Sequence, residues 1–476
     1  MRKFIIAGAL LLGLAVKSYA QQASPDTSHV HNFSLAECIS YAYQHQDSVL
    51  NAGLDIKNAE YKVKETTGQG LPQISGTASF QDYLKTPSII FPNFISDPVY
   101  GILHAENVKN SVTGNVIPGQ APAGTAAGQS VSLYQTYNAN LGLTLNQIIF
   151  SGSYLVGLKA SKTYKELSQR MYTRSKIEAN VNVTKAYYQV LVSGEQIKLL
   201  DANINQLKQQ FDQTVQENKQ GFVEKIDVDR ITVQYNNLVT NRENTLRLLA
   251  LNAQLLKFQM GMPIEDSLAL KDKLPDVDLN NNVANILTDT TFYHNRIEYG
   301  LSETSLKLNE LQLKSTKSNY LPSLSAIGST ALTYQDNSFS QLFSTSYPAT
   351  YVGLSLNVPI FSGGQRLNQV RESKIAVMKS ENDLYNLKNA INLQASSARV
   401  NYINGLQTLN NQRQNQTLAQ EVLKVAKIKY QQGVGSSIEV TQAETDLVNA
   451  DNSYIQGLYD ALVSKVDLDK AYGLIQ

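Results

Sequence analysis

Gly142-Leu143-Thr144-Leu145-Asn146-Gln147-Ile148-Ile149-Phe150-Ser151-Gly152 returns later in the chain as Gly353-Leu354-Ser355-Leu356-Asn357-Val358-Pro359-Ile360-Phe361-Ser362-Gly363, at an offset of 211 residues. In each copy apolar residues alternate with small or polar ones, and then the spacing switches abruptly to that of a helix. A strand that runs straight into a very long helix, twice over, predicts a tube rather than a globule.

Further pairs extend the duplication. Leu71-Pro72-Gln73-Ile74-Ser75 matches Leu321-Pro322-Ser323-Leu324-Ser325 at offset 250. Gln220-Gly221 with Ile226-Asp227-Val228 matches Gln432-Gly433 with Ile438-Glu439-Val440 at offset 212, and Gly261 matches Gly473 at the same offset. Each half therefore reads helix, strand, loop, strand, long helix, Gly-marked turn, helix. The fall in offset from 250 to 211 makes the first hairpin 39 residues longer than the second, with the excess around Leu84 to Val131. Pro87, Pro92, Pro98, Pro118 and Pro122 lie there, so the stretch is expected to be irregular loop. Barrels of the bacterial outer membrane carry long outer loops and short inner turns, which would put this end outside.

Four strands follow from the period of two. Ile74, Gly76, Ala78 and Phe80 form one apolar face, and Tyr137, Ala139, Leu141, Leu143 and Leu145 another. The second half supplies Leu324, Ala326, Gly328, Thr330 and Leu332, then Val352, Leu354, Leu356 and Val358. The alternate positions are small and polar, as lipid outside and water inside require. A soluble sandwich with one wet face has the same alternation, but it needs more than four strands.

Residues 153–219 and 365–431 contain no proline, and each run would span about 100 Å as a helix. Apolar positions step by threes and fours, as at Ala160, Tyr164, Leu167 and Met171, or Ile197, Leu200, Ile204, Leu207 and Phe211, which predicts side-by-side coiled packing. Four strands cannot close a sheet, and an open edge cannot sit in lipid. Two chains would give eight strands and a filled interior, whereas three give about twelve and a lumen. A conduit therefore implies a homotrimer.

The opening residues are expected to be a signal peptide. Met1-Arg2-Lys3 is basic, Phe4 to Val16 is mostly apolar, and Ser18-Tyr19-Ala20 is a small-x-small cleavage site. Removing Arg2, Lys3 and Lys17 leaves 38 basic against 40 acidic residues, a formal charge of −2, which argues against nucleic acid as a partner. Cys38 is the single cysteine, so no internal disulfide forms, and it reads as a small core residue. His29 and His31 lie in a lead-in with Pro, Ser and Asp neighbours, expected to be disordered rather than a metal site. No phosphate loop, metal-helix motif or nucleophile elbow is present, and neither catalysis nor a cofactor is expected.

The architecture resembles the TolC-like outer-membrane efflux proteins, and the resemblance covers essentially the whole chain after the signal. Phe33-Ser34-Leu35-Ala36-Glu37-Cys38 is similar to the family's opening helix, and Leu71-Pro72 and Leu321-Pro322 to its entries into the first and third strands. Ile149-Phe150-Ser151-Gly152 and Pro359-Ile360-Phe361-Ser362-Gly363-Gly364 resemble its strand-to-helix junctions, and Tyr430-Gln431-Gln432-Gly433 with Ser437-Ile438-Glu439-Val440 its periplasmic tip. The resemblance implies an α+β membrane protein: a trimeric twelve-stranded barrel, four strands per chain, continued by a long periplasmic α-helical barrel. It implies an outer-membrane exit duct, embedded in outer-membrane lipid and served by a periplasmic adaptor and an inner-membrane transporter of the RND or ABC type. The layout would be a signal peptide (1–20), N-terminal periplasmic helices (21–70), a first hairpin with a long extracellular loop (71–150) and α-barrel helices (151–261). An equatorial segment (262–290), periplasmic helices (291–320), a second hairpin (321–361) and further α-barrel helices (362–476) would follow. A periplasmic structural or adaptor-type coiled coil is the competing reading, but such proteins lack four period-two strands set between helices.

The family closes its periplasmic end near the tip turns, and the positions that match here are Asp227, Tyr430, Gly435, Glu439 and Gln442. The resemblance implies that Glu439 supplies a carboxylate ring and that Asp227 accepts a bond from Tyr430 on a neighbouring helix. The best-known family members carry an arginine at the Gly435 position and a second aspartate at Gln442, so the salt-bridge lock and the second acidic ring both depart from the pattern. The alternative is that Asp227 and Glu439 merely serve their helix N-termini. Gly221, Phe222, Gly433 and Val434 would touch the adaptor, or else form a solvated hairpin end.

Overall fold

A computed structural model of the chain describes residues 30–91, 96–120, 129–132, 134–274 and 291–475. The expected signal peptide, the lead-in through His29, Pro92, Pro122 and the equatorial residues 275–290 lie outside the described residues. The described residues fall into two compact units. One comprises 30–53, 172–297 and 389–475 apart from those gaps, and the other 54–171 and 298–388.

The second unit holds the four-stranded sheet. β2 (Gln73–Asp82), β5 (Tyr137–Phe150), β7 (Ser323–Asp336) and β8 (Ser346–Asn357) form one antiparallel sheet in that order. The register puts like with like: Ile74 faces Leu145, Leu141 faces Leu332, and Gly328 faces Val352. On the opposite face Ser75 and Thr144 share a hydroxyl contact of 2.8 Å, and Asn140 Nδ2 donates to Thr333 Oγ1 at 3.1 Å. β2 and β8 each pair on one side only, and every residue along both is exposed. Two open edges on a sheet this long demand partners.

The stretch from Leu84 to Val131 is more ordered than its prolines suggest. β3 (Ser88–Phe91) pairs antiparallel with β4 (Gln129–Ser132), and α3 (Ser96–Ala105) lies between them. Pro98 sits in the first turn of α3, where a missing N–H removes no helical bond. The expectation of an irregular loop is thus wrong for these three segments.

Helices flank the sheet in a repeated arrangement. α2 (Asp47–Gln69) leads into β2 and packs on the start of α4 (Gly152–Lys219), with Lys165 Nζ 2.9 Å from Glu60 Oε1 and Tyr154 OH donating to Thr67 O at 3.3 Å. α6 (Ile297–Ser318) leads into β7 and packs on the start of α7 (Gln365–Gln431), where Asn309 Nδ2 donates to Ser380 Oγ at 2.6 Å. α2 and α6 begin 250 residues apart, the offset of the Leu-Pro pairs.

In the first unit, β1 (Val30–Phe33) pairs parallel with β6 (Ser267–Leu270). The lead-in is therefore a strand from Val30 onward, and His31 sits within it with Nε2 3.8 Å from Asp266 Oδ2. α1 (Leu35–His45) begins with a capping box in which Ser34 and Glu37 satisfy each other's backbone N–H. Hydrogen bonds from Lys271 and Ser34 hold the Glu37 carboxyl down at about 2. Asp272 Oδ2 joins the start of α1 to α4 by accepting from Leu35 N at 2.8 Å and Tyr187 OH at 2.9 Å. Beneath lies a core of Cys38, Ala42, Val183, Tyr187, Leu256 and Met260, and burial pushes the Cys38 thiol up to about 12.

α5 (Lys225–Met260) and α8 (Ser437–Ala471) complete the unit. They end at Gly261 and near Gly473, whose φ values are +70° and +71°. Each glycine abuts the chain that leads into the opposite helix: a Cβ on Gly261 would lie 2.5 Å from His45 O, and one on Gly473 2.9 Å from Asn295 O. Gln46 and Arg296, again 250 residues apart, share one extended conformation (φ −73°, ψ 126° and φ −77°, ψ 124°).

Candidate functional site

Two tight reversals join α4 to α5 and α7 to α8. Gly221 and Gly433 take φ values of +79° and +72°, which side chains resist. In both turns the following residue donates back five residues: Phe222 N to Glu217 O at 2.9 Å, and Val434 N to Lys429 O at 3.0 Å. Phe222 (77 % exposed) and Val434 (75 % exposed) are thus presented as matched apolar side chains at the apices.

Asp227 and Glu439 occupy the third position of α5 and α8, where the helix dipole favours carboxylates. Their surroundings differ. Asp227 is largely buried; Ser437 Oγ donates to its Oδ1 at 2.5 Å, and Arg230 Nη1 lies 3.4 Å away. The hydroxyl that reaches Asp227 within the chain is therefore Ser437's, not Tyr430's. Glu439 is half exposed, with Lys429 Nζ at 3.4 Å, and Ser436 rather than Glu439 caps α8 by accepting from Glu439 N at 3.2 Å. Burial, with the charges of Glu217 and Asp227 behind it, raises the Tyr430 phenol above its usual range.

Gly435 explains the missing arginine. A Cβ there would lie 2.9 Å from Lys429 Cβ and 3.0 Å from Tyr430 N, and the Gly435 N–H instead donates to Lys429 O at 3.0 Å. The turn has no room for a side chain, and the cations beside Asp227 and Glu439 come from Arg230 and Lys429 instead.

Gln442 Nε2 donates to Asp446 Oδ1 at 2.9 Å. Glu439, Gln442 and Asp446 form an exposed stripe at steps of three and four along α8, bordering a groove of about 630 Å³ between α7 and α8. Asp446 restores a carboxylate one turn beyond Gln442. Its spacing from Glu439 is the signal that would have found it. Arg230 and Lys429 were legible in the same way, but Ser437 was not, because its partner is 210 residues distant.

The sheet forms the other candidate surface. Its four strands carry two charged residues, Asp82 and Asp336, both paired with Tyr137 at one end. Around that end aromatic rings cluster: Phe80 and Tyr137 each pack edge-on against Phe339, with centroids 6.0 and 5.6 Å apart, and Tyr334 meets Phe343 at 5.3 Å. β2, with ten residues, is about 33 Å long.

Comparison with known proteins finds similar sequences and a similar fold. A family profile described as "Outer membrane efflux protein" matches residues 302–474. Outer membrane protein TolC of Escherichia coli K12 is 23 % identical over 353 residues, covering 70 % of this chain and 69 % of the relative. The probable efflux pump outer membrane protein TtgC of Pseudomonas putida KT2440 is 23 % identical over 369 residues, covering 76 % and 74 %. The crystal structure of CusC, studied for the changes accompanying folding and transmembrane channel formation, superposes with a TM-score of 0.72 at 15 % identity over 96 % of this chain and 95 % of that one.

Proposed function

We propose that this chain, a TolC-like outer-membrane efflux protein, is the passive exit duct of a tripartite efflux or type I secretion system in the outer membrane of a Gram-negative bacterium. An inner-membrane RND or ABC transporter delivers cargo through a periplasmic adaptor, and the protein itself is not an enzyme. The observation that carries this reading is one four-stranded sheet, free of charge except at one end and open at both edges, on a chain with two proline-free helices of 68 and 67 residues. The adaptor-type reading leaves those four strands without a role.

Closure of the edges β2 and β8 between subunits gives a homotrimer with about twelve strands and a water-filled lumen. The face of Ile74, Leu141, Leu145, Val352 and Leu354 meets lipid, and the face of Ser75, Asn140, Thr144 and Thr333 meets water. At the turns, Asp227, Tyr430, Glu439 and Gln442 form the periplasmic constriction, with Asp446 extending the acidic stripe. Gly221, Phe222, Gly433 and Val434 present the adaptor contact.

The test is fractionation and conductance. The unheated protein should run as a trimer from the outer-membrane fraction and conduct in planar bilayers. Glu439→Ala should reduce cation selectivity by several-fold and raise conductance, as loss of a carboxylate ring predicts. A soluble periplasmic monomer overturns the duct, and unchanged selectivity removes Glu439 from the constriction.

A further inference from the structure

α8 buries two acidic side chains, Asp451 and Glu444, and treats them differently. Asp451 is satisfied on both oxygens: Asn203 Nδ2 donates to Oδ2 and Gln416 Nε2 to Oδ1, each at 2.7 Å. Glu444 is 9 % exposed, and its Oε2 is buried without a hydrogen-bond partner. Lys427 Nζ on α7 forms an ion pair with Oε1 at 3.1 Å.

Glu444 lines a cavity of about 170 Å³ where α4, α5 and α8 meet. Gln234 of α5 lines the same cavity; its Nε2 donates to Thr441 O at 3.1 Å, while its Oε1 is buried without a donor. Both residues line one cavity, and each carries a buried acceptor without a donor. The side chains that reach the site from α4 and α5, including Asn203, Gln206 and Asn237, are neutral. Lys427 is the charged group from α7, and from α8 Asp451 lies two turns on, held by its amide partners. Lys427 also borders a second cavity of about 280 Å³, walled by Gln206, Gln210, Gln213 and Tyr430, in which Gln210 Oε1 is again a buried acceptor without a donor.

We propose that Glu444 is a proton-binding site that fastens this four-helix junction. With a proton, its hydroxyl donates to Gln234 Oε1, and Lys427, released from its counter-charge, turns to Gln210 Oε1. Without one, Lys427 stays with the carboxylate, and three buried acceptors go short of donors. Burial raises the Glu444 carboxyl above its usual range, and Lys427 offsets part of that rise. A group whose pKa is higher folded than unfolded favours the packed state at low pH and ceases to do so as pH climbs through the folded value. The α7–α8 hairpin should therefore tighten on α4 and α5 as the surroundings acidify.

Hydrogen exchange read by mass spectrometry on the full-length protein in detergent tests this without any transport assay, so its outcome is independent of the duct function. Between about pH 8 and about pH 5, after correction for intrinsic exchange rates, wild-type amides of residues 423–447 should become several-fold better protected. Glu444→Gln, which carries a donor at every pH, should be protected at both ends of the range. Lys427→Met, which removes the competing cation, should move the transition to higher pH. A wild type without pH dependence, or a Glu444→Gln variant that keeps it, overturns the proposal. Should Glu444→Gln fail to fold, the Lys427→Met transition decides: a midpoint that stays in place overturns it equally.

Discussion

The same eleven-residue segment ends differently in the two halves of the chain. In the first copy β5 continues to Phe150 and α4 starts at Gly152, with Gln147 Nε2 anchored on Gly70 O at 2.6 Å. In the second, β8 stops at Asn357 and α7 starts only at Gln365. Val358-Pro359 replaces Gln147-Ile148, and Pro359 has no N–H to extend the ladder. Its carbonyl instead takes Arg366 Nη1 at 3.1 Å, and Gly363 and Gly364 turn the chain at φ +58° and +83°. The motif glycine itself serves two purposes. At Gly152 it permits crowding, since a Cβ would lie 2.9 Å from Ser318 Cβ, while at Gly363 it permits a left-handed turn in open space. A repeat can thus preserve the order of elements while a few residues set where each one ends.

The comparison breaks most severely at the paired helix ends. Gly261→Ala places a methyl within 2.5–2.7 Å of the backbone of His45 and Gln46, on a residue already at positive φ. Neither neighbour is a flexible side-chain end, so strain and handedness together should cost about 3–5 kcal/mol. Gly473→Ala meets Asn295 at 2.9–3.0 Å and should cost less, about 2 kcal/mol. Thermal unfolding of the two variants in detergent checks the ranking; equal losses would mean that the close approach at Gly261 relaxes freely.

Next in size is the pair at Gln46 and Arg296. Gln46 turns back on its own helix, its Oε1 accepting from Val49 N at 3.1 Å. Arg296 is buried and reaches across, donating Nη1 to Ala471 O at the end of α8 and Nη2 to Gln394 Oε1, both at 3.0 Å. Arg296→Met leaves the buried Ala471 carbonyl short of this donor and should cost about 2 kcal/mol, whereas Gln46→Ala removes one cap and should cost about 1 kcal/mol. Denaturant midpoints with unchanged slopes would read the difference.

Much of this was legible in the sequence because its causes are local. Proline-free runs bounded by Gly221 and Gly433 gave helices of nearly the expected length, and strict alternation gave the four long strands with their faces. The β1–β6 pair was not legible, since its two four-residue strands meet across more than two hundred residues and neither alternates long enough to signal itself. Order around β3, α3 and β4 was hidden because prolines at element starts resemble prolines in coil. At the turns, the positions of Asp227 and Glu439 followed from the repeat, but Ser437 as the partner of Asp227 is a tertiary fact. So is the room that Gly435 denies an arginine.

The smallest expected effect is the most direct test of what separates the two copies. Pro359→Ile makes the second segment resemble the first at the position that ends β8. β7 already extends to Ser323, the partner of Asn357, so the ladder has almost no further strand to pair with at that end. Residue 359 would gain an N–H, yet Arg366 would still compete for its carbonyl, and the two left-handed glycines would still set the entry to α7. The net change should be within about 1 kcal/mol, with at most a modest gain in exchange protection at residues 358–360. Extension of β8 into a helix that starts near residue 363 would show that proline alone separates the two junctions. Unchanged protection would place the difference in Gly364, which has no glycine counterpart at Ser153.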